Sequence, residues 1–90
     1  MKSKYNLDKF KSDRDRLIEI VGDKLGYTGN DPGTYRVTFG DDDLRLYFDV
    51  YLSKRTVVVR HDNNKPRYYK RMSWEQITSM FQNIGQFVWG

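Results

Sequence analysis

The sequence predicts a single α+β domain: a helix, an antiparallel sheet of three or four strands, and a second helix, with both helices on one face of the sheet. Three observations carry that expectation. Apolar residues recur at helical spacing near both ends, they alternate at period two through the middle, and segments rich in Gly, Asp, Asn and Pro separate the runs.

Leu7, Phe10, Leu17, Ile18, Val21 and Leu25 form the first helical stripe, with Asn6 or Ser12 as the N-cap and Gly26 as the stop. The opposite face, Lys9, Lys11, Asp13, Arg16, Glu19 and Asp23, mixes signs and reads as a solvated surface laced with ion pairs. Gly29–Gly33 is dense in turn formers, and the period then changes. Tyr35, Val37 and Phe39 alternate with Arg36 and Thr38. After a turn at Gly40–Asp43, Leu44, Leu46, Phe48, Val50 and Leu52 alternate with Arg45, Tyr47, Asp49 and Tyr51. Ser53–Arg55 turns the chain into Thr56–His61, whose Val57, Val58 and Val59 form a β-branched run. A loop at Asp62–Pro66 leads to a fourth strand over Arg67–Met72, which Pro66 marks as an edge.

Ser73 with Gln76 three residues on makes a capping box, and Met72 with Ile77 makes the hydrophobic staple. A helix is therefore expected from Trp74 to about Val88, with Trp74, Ile77, Phe81, Ile84 and Val88 as its core stripe. Packing both helices on the apolar sheet face leaves Arg45, Tyr47, Tyr51, Thr56, Val58 and Arg60 on the other. No internal repeat, low-complexity tract or linker is visible.

Composition sets limits on function. A chain of 90 residues buries only about 60 to 65% of its unfolded surface. Its seven Tyr, five Phe and two Trp then supply a large part of that burial. The absence of cysteine removes disulfides and thiolate zinc sites. No run approaches the ~20 apolar residues of a membrane span, and residues 1–11 are too polar for a signal-peptide core. A cytoplasmic, intracellular protein with no membrane partner is expected.

Charge is unevenly placed. Residues 1–50 carry nine Lys/Arg against ten Asp/Glu, whereas residues 51–90 carry seven against two, all seven basic ones lying between Lys54 and Arg71. That segment combines Lys54, Arg55, Arg60, His61, Lys65, Arg67, Lys70 and Arg71 with Tyr68 and Tyr69. Cations neutralise phosphates and tyrosine rings stack on bases or fill pockets, so the mixture suits nucleic acid or an acidic protein surface. Alternation in the fourth strand would put Arg67, Tyr69 and Arg71 on one face and Tyr68, Lys70 and Met72 on the other, splitting the cluster.

No catalytic constellation accompanies it. The single histidine, His61, has no partner evident from sequence and reads as a surface residue at a strand end. Asp41, Asp42 and Asp43 suit a hard cation in charge but lack the calcium-loop pattern, and Asp is common in turns for backbone reasons. No glycine-rich phosphate loop is present. Neither a metal nor a cofactor is expected.

The order helix, strands, helix is similar to that of the double-stranded-RNA-binding domain. That family's Gly-Pro-His-type loop and Lys-Lys pair are replaced here by Gly40–Asp43 and by Ser73, Trp74 and Glu75, so its RNA-contacting residues are not carried over. Residues 33–71 resemble the central hairpins of RelE/ParE-type toxins: a Tyr-Arg strand, a Gly turn, an Arg-x-hydrophobic-Phe strand and a Val-rich strand ending in basic residues and Tyr. That resemblance covers fewer than half of the residues, and the strand that opens those toxins has no counterpart before Leu7. It implies that Arg36, Arg45, Arg60, His61, Arg67 and Tyr69 contact phosphate or do acid–base work on ribosome-bound messenger RNA, or contact gyrase.

The leading expectation is a small non-enzymatic binding protein acting on nucleic acid or on a nucleic-acid-handling protein, a description that also fits a phage or mobile-element inhibitor of a host defence nuclease. The alternatives are a toxin-like ribonuclease or gyrase inhibitor, and a structural subunit using an edge strand or Phe87 and Trp89. Monomer and homodimer are both open.

Overall fold

A computed structural model describes residues 4–88, with side chains through residue 86. Helix α1 (Leu7–Val21) leads into five strands, β1 (Gly26–Asp31), β2 (Arg36–Asp41), β3 (Leu46–Tyr51), β4 (Thr56–His61) and β5 (Arg67–Tyr69). Helices α2 (Trp74–Gln82) and α3 (Ile84–Val88) follow. Each strand pairs antiparallel with the next, so the sheet is a meander in chain order.

The α+β class and the outer helices match expectation, but the sheet has five strands and not three or four. The additional strand is β1, whose Gly-Tyr-Thr-Gly-Asn-Asp sequence has the composition of a turn. Pairing with β2 overrides that local preference. A bulge between Tyr27 and Gly29 accommodates Thr28, whose hydroxyl donates to the Thr38 carbonyl at 3.0 Å.

Helix α1 stops earlier than its periodicity implies. Gly22 takes φ 57° and ψ −131°, a conformation that a Cβ disfavours, and its N–H closes on the Ile18 carbonyl. Leu25 is still buried, but beyond the helix, while Leu7 and Ile18 are exposed rather than in the core. Asn6 is the N-cap, accepting from the Lys9 N–H at 2.9 Å.

The capping box at Ser73 is formed in both directions. The expected single C-terminal helix is broken at Asn83, whose side chain donates to the Ser79 carbonyl. An Asn that bonds locally to backbone competes with helix continuation.

Turns recur at ten-residue spacing, and Tyr35, Arg45 and Arg55 each adopt positive φ as the last residue before the next strand. The β2–β3 turn therefore lies at 42–45 rather than at Gly40–Asp43, which leaves Leu44 exposed and Arg45 in the turn rather than on a sheet face.

Phe10, Leu17 and Val21 of α1 and Ile77, Met80 and Phe81 of α2 share one core with Val37, Phe39, Leu46, Phe48, Val50, Val57 and Val59. The Phe81 ring lies 5.0 Å from Phe48 and 6.1 Å from Phe39. Both helices therefore cover the same sheet face. No helix among the described residues is long and apolar enough to cross a membrane.

Candidate nucleic-acid interface

With one face under the helices, strand alternation presents Thr38, Tyr47, Asp49, Tyr51, Thr56, Val58, Arg60 and Tyr68 on the other. The register sets them in rows. Thr38, Asp49, Val58 and Tyr68 lie side by side across β2 to β5, next to the row of Arg36, Tyr51 and Thr56. A groove of about 1020 Å³ runs over this surface, walled by the β1–β2 turn, the β3–β4 turn and the chain around β5.

The groove floor is a committed charge pair beside apolar and aromatic surface. Asp49 is 8% exposed, accepts from the Thr38 hydroxyl at 2.8 Å, and is bridged by Arg60 through Nε at 2.7 Å and Nη2 at 3.2 Å. The same guanidinium sits 5.1 Å from the Tyr47 ring centre. Tyr47 in turn donates to Asp42, and that hydrogen bond raises the pKa of its hydroxyl. Arg60 therefore serves the floor's electrostatics, since its charge is already opposed by Asp49. Beside Asp49 and Tyr68 lies Val58, 7% exposed and the apolar centre of the surface.

Of the ten residues singled out in the basic segment, the groove gathers five: Lys54, Arg60, Tyr68, Lys70 and Arg71. The others lie elsewhere. Arg55 donates from Nε to the Met72 carbonyl at 3.0 Å and lines a second concavity of about 330 Å³ with Lys9, Arg16 and Trp74. Arg67 and Tyr69 pair with Val59 and Val57, on the helix-covered side, and Tyr69 packs against the core. His61 ends β4 opposite Leu46, again with helix-side parity, and Lys65 is in the β4–β5 loop.

The expected split of the Arg67–Met72 segment, whose strand is β5, thus holds for Tyr68 against Arg67 and Tyr69, but not for its C-terminal end. Strand pairing ends at Tyr69, and Arg71 takes φ 54°. This returns Arg71 to the groove beside Lys70 and sends Met72 into the core, where its N–H donates to the Arg55 carbonyl at 2.9 Å.

Asp49, a groove-floor residue, was not among the candidates, although period two in β3 places it between Tyr47 and Tyr51. The groove walls at Gly33, Thr34 and Ser53 had no sequence signal, because turns are brought together only by the meander. The six positions implied by the toxin resemblance are distributed. Arg36 and Arg60 are on the open face, Arg45 is in a turn, and His61, Arg67 and Tyr69 have the opposite parity. The Nε of Arg36 is buried without a hydrogen-bond partner. Among the described residues no three His, Asp or Glu side chains are grouped to hold a metal. Comparison of the chain with protein-family models, with curated proteins and with solved structures found no match.

Proposed function

We propose that this chain is a non-enzymatic binding protein whose groove, on the open face of the sheet, engages nucleic acid. The observation that carries this reading is the charge arrangement. Lys54, Lys70 and Arg71 are exposed around the groove and enter no ion pair among the described residues, while the groove's carboxylate is neutralised by Arg60. Net positive potential is thereby directed at the concave surface, which favours a polyanion.

Salt titration of binding to labelled DNA and RNA tests the reading. Three phosphate contacts predict a loss of about twenty- to fortyfold in affinity between ~50 and ~200 mM salt. Replacing Lys54, Lys70 and Arg71 together by Ala should remove most of the binding and of its salt dependence. A charge-matched triple substitution at the exposed Lys4, Lys11 and Lys24 should leave both nearly intact. Equal losses from the two triples would refute the groove as the site.

A further inference from the structure

We infer that the groove takes single-stranded nucleic acid, with unpaired bases stacked on Tyr51 and Tyr68 and phosphates held by Lys54, Lys70 and Arg71. This rests on the nucleic-acid reading above and adds the class of strand and the mode of contact. Its independent observation is the state of the tyrosine rings.

Tyr5, Tyr27, Tyr35 and Tyr47 each meet another ring or a cation within the protein. Tyr51 and Tyr68 both line the groove, and neither side chain has a ring, cation or hydrogen-bond partner among the described residues. Tyr68 is 63% exposed. A flat aromatic ring left open beside unpaired cations matches the two halves of a nucleotide, a base with a π face and a phosphate.

Register defines the spacing. Tyr51 is on β3 and Tyr68 on β5 in the adjacent row, so two strand spacings and a two-residue offset separate their backbones, roughly 12 Å, with buried Val58 on the strand between. That distance assigns each ring to a different base, with apolar floor beneath the intervening sugar. Duplex bases are stacked on one another and show no free face to a ring, so a duplex would reach only the rim cations. The paired Asp49 carboxylate retains acceptor capacity at the floor, suited to the amino or imino N–H of an unpaired base edge.

The test compares three probes of equal length, about 16 nucleotides: a single strand, its duplex, and an abasic strand with the same phosphates. Fluorescence anisotropy at low salt should rank the single strand tightest. Tyr68→Leu and Tyr51→Leu should each weaken single-strand binding by about 5- to 150-fold, the range of one lost base–ring stack, while Tyr68→Phe retains it. Circular dichroism melting confirms that each variant is folded. If duplex and abasic strands bind as tightly as the single strand, or Tyr68→Leu changes nothing, the stacking inference is overturned while the nucleic-acid reading stands. If none of the three binds, both fail, and the cations are directed at an acidic protein surface.

Discussion

Gly40 shows how one missing side chain organises the open face. It lies opposite Tyr47, and a Cβ there would run into the Tyr47 ring and come within 2.9 Å of the Leu46 carbonyl. The ring therefore lies over the glycine, within reach of both Arg60 and Asp42. Gly40→Ala should destabilise by ~1–3 kcal/mol through overpacking, lowering the melting temperature by about 4–8 °C per kcal/mol. An unchanged melting temperature would mean that the ring can move aside freely. Tyr5 carries a second prediction. Its hydroxyl donates to Asp13 at 2.8 Å, and burial first, then that hydrogen bond and the carboxylate charge, raise its pKa well above the usual tyrosine value. A folded-state pKa above the unfolded value means that this stability is fully present below pH ~10 and is lost as pH rises beyond it, when only the unfolded chain ionises. Denaturation across pH 8–11 should show a steeper alkaline decline for the natural protein than for Tyr5→Phe, and parallel curves would exclude Tyr5 as the cause.

At the scale of elements, the hairpin turns govern the sheet. Tyr35, Arg45 and Arg55 occupy the left-handed region at ten-residue intervals, each ending a turn between two strands. A non-glycine residue there costs about 1–2 kcal/mol, which the strand pairing on both sides must offset. Arg45 is the cleanest probe, because its ion pair with Asp62, 3.3 Å and exposed on both sides, contributes little. Arg45→Gly should raise stability by about 0.5 kcal/mol, and Arg45→Val should lower it by about 1–2 kcal/mol, since β-branched residues tolerate positive φ least. Urea denaturation measures both, and the reverse order would contradict strain at this turn. These turns also explain what periodicity missed. Alternation identified β2, β3 and β4 from Val37, Phe39, Phe48 and Val57, and the Asp62–Pro66 loop lies where composition put it, but the β2–β3 turn is displaced by two residues because Gly40 and Asp41 are paired strand residues.

At the scale of the whole molecule, the division of the sheet into a helix-covered and an open face separates stability from binding. The core side holds Phe39, Phe48, Val50 and Val57 against α1 and α2, whereas Lys54, Lys70 and Arg71 stand in solvent on the groove rim. The triple alanine variant at those three positions should therefore keep its stability within about 0.5 kcal/mol per site while losing nucleic-acid affinity. Calorimetry alongside the binding titration checks this, and a collapse in stability would mean that the rim also supports the fold.

The α+β class, the two outer helical segments, the Ser73 capping box and the basic bias after Lys54 are legible without the fold, because each is a local matter of periodicity, side-chain reach or composition. The Tyr68 against Arg67 and Tyr69 split is legible in the same way, since alternation along a strand needs no knowledge of its neighbours. The strand at Gly26–Asp31, the return of Arg71 to Lys70 with Met72 turned inward, and the placing of Asp49 under Arg60, across Val58 from Tyr68, arise only in the folded sheet. Pairing between strands is the cause: hydrogen bonds to β2 hold a glycine-rich segment extended, and the register across β2 to β5 brings residues distant in sequence onto one groove floor.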